Sequence, residues 1–234
     1  MLDNAFEALK TFDWGTDLTA LAPIDEAVTA AHGKADLTAD LENRLLAALK
    51  GDLSRDARDY LCRKLAIIGT TAAVPVLAGL LESENSSHMA RFALERIPAP
   101  VAAQALREAL PRVNGNLKIG VISSLGGRRD PAAVQALRGL LRENDAAIAR
   151  ASALALGAIG SVEAATALQA FLATASGDKQ VAVDALLACG EALLAGNRKA
   201  EAMSIYKSLA GEKQPRLVRL AATRGILTCS GRQA

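Results

Sequence analysis

The sequence predicts an all-α protein, a right-handed α-solenoid built from about six helical hairpins. The first observation is an internal repeat of an eight-residue apolar pattern. Its copies begin at Glu42, Val74, Ala103, Val134, Ala165 and Ala202. They are 32, 29, 31, 31 and 37 residues apart, and such a period with two helical segments per unit is typical of solenoids. The second observation is composition: 51% of the residues are hydrophobic but only 3% aromatic, because alanine and leucine dominate and favour closely packed helices.

Residues 1–35 are less regular than the rest and are predicted to form an atypical N-terminal cap. An end unit has to cover core that would otherwise be exposed, so an irregular first element is expected. Apolar residues at helical spacing predict two helices here, one on either side of the turn at residues 13–15. Trp14 is the only tryptophan of the chain. We interpret it as part of the cap, with stacking on a ligand as the alternative.

From residue 36 onward the sequence predicts six repeats within one solenoid domain that spans residues 1–234. Each repeat is helix A, a short turn, helix B and a second turn. The repeats are assigned to residues 36–69, 70–98, 99–129, 130–160, 161–197 and 198–231. One apolar helix B position aligns through all of them, at Leu65, Leu94, Leu125, Leu156, Cys189 and Ile226.

The repeat at 130–160 shows the clearest helix boundaries. Asp130 is predicted to cap helix A, and Pro131 suits its first turn. Asp145 is predicted to cap helix B, and Gly160 to end it.

The same repeat reads DPAAVQALRGLL and, after a short acidic turn, IARASALALGAIG. This pattern resembles the short HEAT-like repeats of the phycobilisome-lyase type, over about residues 36–231. Segments 86–97 and 123–134 are also similar to HEAT regions of large, often exported, bacterial multidomain proteins. The resemblance implies a scaffold that binds proteins on a concave surface lined by the B helices. Only a minority of such repeats handle small molecules such as bilins. The last repeat departs from the pattern and is similar to tetratricopeptide repeats.

Charge is unevenly distributed along the chain, although the net charge is only +2. Residues 1–60 hold 12 acidic and 6 basic residues, whereas residues 198–234 hold 2 acidic and 8 basic ones. This asymmetry is typical of solvated helix faces, and a basic docking surface near the C-terminal end is the alternative. Nucleic acid is not predicted as a partner, because the pI near 8.5 is moderate and stacking aromatic residues are scarce.

The compartment stays open from the sequence. Apolar runs are too short for a membrane span, so no membrane insertion is expected. The start MLDNAFEALK lacks a signal-peptide pattern and favours the cytoplasm, but a mature exported form would read the same. Cys62, Cys189 and Cys229 are too scattered for a disulfide framework and are predicted to be packed thiols. Oligomeric state is not predicted.

Motifs for catalysis are scarce. The chain contains no G-x-S-x-G, Walker, G-x-G-x-x-G or H-E-x-x-H motif, so no catalytic residue or cofactor is predicted. His32 and His88 lie 56 residues apart, and no metal site is predicted. The alternative kept open is a bilin-lyase-like or glycosylase-like activity in the concave groove, which a clustered acid with a perturbed pKa in a closed pocket would favour.

The candidate binding residues lie on the predicted solvent face of the B helices. They are Arg63, His88, Arg91, Phe92, Glu95 and Lys118. Neighbouring positions predicted to be exposed are Asp59, Cys62, Ser87, Ile119, Ile122, Ser123, Ala149, Arg150, Ala153, Leu154 and Gly157. An arginine beside an aromatic residue suits a protein or peptide contact, with Arg91 as the central anchor. The alternative is a solvated face whose charges pair with each other, as Arg91 and Glu95 would on one helix.

Overall fold

A computed structural model describes residues 1–175 and 179–231 of the chain. These residues form fourteen α-helices and three short 3-10 segments, and no strand is found among them. The predicted all-α class of tandem helical hairpins is therefore confirmed. Two compact units divide the chain, Met1–Ser124 and Leu125–Ala234. The assignment of a single domain stays a prediction.

The first unit consists of the cap and the first hairpins. Its α-helices are α1 (Leu2–Ala8), α2 (Ala22–Ala31), α3 (Ala35–Leu49), α4 (Arg55–Ile68), α5 (Val74–Gly79), α6 (Ser87–Arg96), α7 (Pro100–Ala109) and α8 (Gly115–Gly127), the last of which continues into the second unit. The 3-10 segments Leu9–Thr11 and Leu18–Leu21 flank the cap turn. The A helices α5 and α7 contact each other, as do the B helices α4 and α6.

The cap is fixed to the first hairpin by apolar burial and by hydrogen bonds. Leu21 and Ile24 are fully buried where α2 contacts α3 and α4. The Tyr60 hydroxyl of α4 donates to the Leu21 carbonyl oxygen at 3.2 Å and to a carboxylate oxygen of Asp25 at 3.0 Å. Ser54 caps α4 by accepting from an amide of the first turn, while its hydroxyl donates to the Phe12 carbonyl oxygen at 2.6 Å. These bonds order the chain on both sides of the cap turn.

Trp14 does not contribute to the core of the cap. It lies on the turn between the two cap helices with 90% of its surface exposed. Phe12, two residues earlier, is the aromatic residue of this segment that is buried, and its ring lies 6.3 Å from that of Tyr60. The side chain of Trp14 is therefore available for contacts outside the cap.

The second unit continues the hairpin pattern after the 3-10 segment Pro131–Ala133. Its helices are α9 (Val134–Leu140), α10 (Ala146–Ile159), α11 (Val162–Thr174), α12 (Gln180–Ala195), α13 (Lys199–Leu209) and α14 (Arg216–Cys229). The B helix α10 contacts α12, and α12 contacts α14. The aligned helix B position is fully buried from Leu65 through Cys189, whereas Ile226 is half-buried.

Two of the three predicted helix boundaries around α9 and α10 are confirmed. Asp145 caps α10, because its carboxylate accepts from the amides of Ala147 at 2.8 Å and Ile148 at 3.3 Å. Gly160 ends α10 in the left-handed conformation with a φ of 64°. The prediction that Asp130 caps helix A is wrong. The turn that follows Asp130 is a 3-10 turn, and the buried Asp130 side chain makes no capping hydrogen bond to it.

Candidate functional site

The predicted binding residues fall on three B helices of the first unit. Arg63 lies on α4 and Lys118 on α8. The other four, His88, Arg91, Phe92 and Glu95, lie on α6. Arg63 and His88 are exposed, and the remaining four are half-buried. Contacts place four of them, Arg63, Arg91, Phe92 and Glu95, in two clusters, one around Arg91 and one around Phe92.

The Arg91 cluster connects α6 to α8. The Arg91 guanidinium donates to the Gly120 carbonyl oxygen at 3.1 Å and to the Ser124 hydroxyl oxygen at 3.3 Å. Ser124 in turn donates to a carboxylate oxygen of Glu95 at 2.6 Å. The guanidinium lies so close to Gly120 that a Cβ there would be 2.5 Å from its central carbon. Arg91 is therefore packed against the next repeat.

Burial changes the acidity of Arg91. Removal of its guanidinium from water lowers the pKa of Arg91, while the nearby Glu95 carboxylate acts in the opposite direction. Arginine stays protonated in proteins, so the group is a half-buried cation beside a carboxylate. This environment supports a role in joining repeats.

The Phe92 cluster connects α4 to α6 and lies closer to solvent. Arg96 folds back over the Phe92 ring at 3.6 Å from its centroid and donates to the Phe92 carbonyl oxygen at 3.0 Å. The Arg63 guanidinium lies 5.2 Å from the same centroid. Asp59, one turn earlier on α4, accepts from Arg63 Nε at 2.7 Å and so fixes its direction. We call Arg63, Phe92 and Arg96 the arginine–phenylalanine stack.

Sequence reasoning did not single out Arg96. The signal was present, because a residue four positions after Phe92 lies on the same helix face and can reach its ring. Neither His88 nor Lys118 takes part in the two clusters as far as the described residues show. Whether any of the six predicted residues binds a partner stays a prediction.

Several positions predicted to be exposed on the B helices are buried. They are Cys62, Ser87, Ile122, Ala153 and Gly157. The prediction was wrong because it treated each B helix as covered only by its own hairpin partner. Successive B helices also pack side by side, as α4 does on α6 and α10 on α12, and this buries a second stripe of each helix. The exposed surface is correspondingly narrower.

Titratable groups with a raised pKa belong to the packed interior. Burial is the main cause for Tyr60, Cys62, Cys189 and Tyr206. It raises the pKa of both the Cys62 and the Cys189 thiol to about 12, so these thiols are neutral near pH 7. All three cysteines are free, and Cys229 is the one that is only half-buried. These shifts come from packing, and they do not indicate a catalytic acid facing a groove.

A pocket of about 360 Å³ lies beside the stack, at the junction of the cap turn and α4. Arg63 and Asp59 line it together with the exposed Trp14. Two other cavities, of about 450 and 550 Å³, are lined by cap and helix A residues and not by the predicted binding residues. In the larger one, the buried Glu42 accepts from the amide and hydroxyl of Thr70, which gives that carboxylate a structural role.

Metal ligands and membrane spans are absent from the parts of the chain that the structure describes. Those parts hold no group of three or more histidine, cysteine or carboxylate side chains placed to hold a metal ion. No helix within residues 1–175 and 179–231 combines the length and apolar composition of a membrane span.

Comparison with known proteins identifies the repeat. Residues 103–187 match the sequence family of HEAT repeats. This segment consists of HEAT-like repeats, as the sequence pattern predicted. HEAT repeats typically mediate protein interactions, so the fold supports a binding role in general. A comparison with curated proteins finds no match.

Solved structures with a similar course of helices have low sequence identity to the chain. An engineered protein is 19% identical, with 98% of this chain and 69% of that chain covered and a TM-score of 0.45. Human deoxyhypusine hydroxylase in complex with glycerol is 16% identical, with 99% and 96% covered and a TM-score of 0.39. A second engineered protein is 20% identical, with 98% of each chain covered and a TM-score of 0.31.

Proposed function

We propose that the protein is a non-enzymatic scaffold that binds an extended peptide segment of a partner protein on the B helices of residues 1–124. The anchor would be the arginine–phenylalanine stack, supplied by two successive repeats. A single observation carries the proposal: two guanidinium groups from successive repeats, those of Arg63 and Arg96, lie over the half-buried Phe92 ring.

The stack has the chemistry of an interface anchor. A ring that already packs with two guanidinium groups has less rotational freedom left to lose on binding, and arginine and aromatic residues dominate interface hot spots. Each guanidinium has five N–H donors in a planar fork. In the bonds described above, Arg63 and Arg96 each use one nitrogen, directed at Asp59 and at the Phe92 carbonyl. The remaining donors suit a carboxylate or a backbone carbonyl of a peptide.

Comparison with the Arg91 cluster supports the choice of the arginine–phenylalanine stack as the anchor. Arg91, the anchor expected from sequence, directs its guanidinium at Gly120 and Ser124 of the neighbouring helix. Arg91 is half-buried over Gly120, whereas Arg63 and Arg96 are exposed. A partner therefore reaches the stack more readily, so we place the main contact there and treat Arg91 as support for the surface.

The test uses peptide selection against matched proteins. A displayed random-peptide library is panned on the wild-type chain and, in parallel, on a Phe92→Ala/Arg96→Gln double variant. Peptides enriched only on wild type are then measured by calorimetry. We expect Phe92→Ala and Arg96→Gln each to weaken them by about fivefold or more, the level of an interface anchor above about 1 kcal/mol.

Arg112→Gln is the matched control. Arg112 is also an exposed arginine of the first unit, paired with Glu82 at 2.7 Å, but it lies outside the B helices. It should leave the affinity nearly unchanged. Equal enrichment on both proteins, or equal loss with the control, would contradict the proposal and favour the alternative in which the stack only joins repeats.

A further inference from the structure

The pocket beside the stack combines aromatic walls with carboxylates. Phe12, Trp14 and Tyr60 supply the rings, and Asp13, Asp56 and Asp59 supply the acids. Its volume of about 360 Å³ lies at the small end of the range for ligand pockets, about 300–1,000 Å³. This space accommodates one side chain of a partner.

The charge of the pocket is negative. Among the described residues that line it, Arg63 is the one basic side chain, and its Nε is taken by Asp59. Asp13 and Asp56 therefore add two carboxylates that this arginine does not balance. Asp13 is also held in place, because its carboxylate accepts from the Trp14 amide at 2.9 Å. A cation entering the pocket would meet these two carboxylates and the π face of an aromatic ring.

The Trp14 ring is presented by an ordered turn. The Thr16 amide donates to the Asp13 carbonyl oxygen at 3.0 Å, and the Asp13 amide donates to the Thr16 hydroxyl oxygen at 3.2 Å. Gly15 supplies the left-handed conformation that the turn needs, with a φ of 81°. The turn thus fixes the backbone from which an indole that is 90% exposed projects. Tryptophan gives the strongest cation–π attraction among the side chains.

A cation, an aromatic ring and a carboxylate already contact one another next to the pocket. Lys64 Nζ lies 4.5 Å from the centroid of the Tyr60 ring and forms an ion pair with Asp25. This part of the protein thus already brings together an ammonium group, an aromatic ring and a carboxylate.

We propose that this pocket binds the ammonium group of a lysine side chain, methylated or not, in the peptide that contacts the arginine–phenylalanine stack. The inference rests on the proposed function for the identity of the partner. Because Arg63 belongs to both sites, a lysine in the pocket and an acidic or carbonyl group at the stack would lie close together in one peptide. The pocket would favour cations and reject acidic side chains through its charge.

Fluorescence of the single tryptophan tests the pocket directly. The probes are short blocked peptides with a central lysine, Nε-trimethyl-lysine, Nε-acetyl-lysine or glutamate. We expect a saturable change of Trp14 emission with the two cationic probes and none with the neutral or acidic probe. Asp56→Asn should weaken the cationic probes by about fivefold, whereas Asp40→Asn, on the exposed face of α3, should not. A response that is equal for Nε-acetyl-lysine, or absent for both cations, overturns the proposal.

The Arg96→Gln variant separates this inference from the proposed function. Arg96 belongs to the stack and not to the lining of the pocket. If the pocket is a lysine site, the short cationic probes bind this variant as they bind wild type, even when selected longer peptides lose affinity. If selected peptides depend on the stack but the cationic probes give no response, the proposed function stands and the lysine pocket is wrong.

Discussion

Two arginines on neighbouring B helices illustrate how position around a helix decides the role of a side chain. The repeat spacing aligns Arg91 with Cys62 and Ile122, both fully buried against the adjacent B helix. Arg91 fits this buried column because it faces Gly120, whose missing side chain leaves room for the guanidinium. Arg63 aligns with Phe92 in the next column, one residue further on, which faces solvent. A shift of one residue thus separates a packing residue from a candidate contact residue.

Arg91→Ala is expected to destabilise the protein. The change removes charge-assisted hydrogen bonds to Gly120 and Ser124 and leaves a void over the glycine. Bonds of this kind contribute about 1.5–3 kcal/mol each, and we expect a loss of about 1–3 kcal/mol in the free energy of unfolding. Urea denaturation followed by circular dichroism measures it.

Arg112→Ala is the control for Arg91→Ala. Its ion pair with Glu82 is exposed on both sides, so its loss should cost less than about 1 kcal/mol. Equal stability of the Arg91 and Arg112 variants would show that the Arg91 cluster contributes little to folding. It would return Arg91 to the set of candidate contact residues.

Sequence reasoning placed the candidate residues on B helices, as the structure does, but did not predict which of the neighbouring positions are exposed. Periodicity fixed which residues of α6 turn towards the hairpin core, such as Leu94. It did not show that the neighbouring B helix covers a second stripe, because that depends on how closely two helices approach. The small residues Gly120 and Gly157 were the available signal, since they permit such an approach.

At the scale of helices, small residues set the distance between successive B helices. A Cβ at Gly157 of α10 would lie 2.9 Å from the Cα and 3.0 Å from the Cβ of Ala185 on α12. Glycines also make room for Tyr206 of α13, because its ring lies against Gly190 on α12 and Gly225 on α14. Backbone atoms on the other side of the contact leave little room for adjustment.

Gly157→Ala is therefore expected to destabilise the second unit, by about 1–3 kcal/mol for overpacking. Gly139→Ala is the matched control, because Gly139 also lies within a helix, α9, but a Cβ added there would meet no described atom within 4 Å. It should stabilise the protein by up to about 1 kcal/mol through helix propensity. Thermal unfolding of both variants distinguishes the effects. Two stabilised variants would show that α10 and α12 do not pack as closely as described.

Helix ends were predictable where one residue determines them and less so where the first turn is irregular. Asp145 caps α10 through its own carboxylate, and Gly160 ends that helix through its own left-handed backbone. Both helix ends could therefore be predicted from the sequence. Asp130 precedes a proline, and the following turn is 3-10, which moves the start of α9 to Val134. The cap helices were predicted in outline, but the exposure of Trp14 was not, because it depends on the tertiary position of the turn.

At the scale of the whole molecule, a solenoid buries each hairpin only against its neighbours, so the hairpin of α3 and α4 needs cover on the side that faces residues 1–33. The cap supplies it through the buried Leu9, Leu21 and Ile24. Arg44 of α3 extends this contact, because its guanidinium lies 4.6 Å from the centroid of the Phe6 ring and pairs with Asp3. Three of the acidic residues within residues 1–60, namely Asp13, Asp56 and Asp59, line the proposed lysine pocket.

Deletion of residues 1–33 is expected to make the protein aggregate. It would leave α3 without the cap and expose leucines that are now buried, among them Leu45, Leu46 and Leu49. Burial of one leucine side chain contributes about 1.5–3 kcal/mol to the free energy of folding. Exposing several of them would therefore destabilise the protein much more than the loss of an exposed loop would. Light scattering and size-exclusion chromatography measure the outcome. Trp14→Ala is the control, since it alters the same segment at a residue that is 90% exposed and should leave solubility unchanged. A soluble truncated protein with an unchanged thermal midpoint would show that the first helices are an appendage and that α3 and α4 form a self-sufficient end of the repeat array.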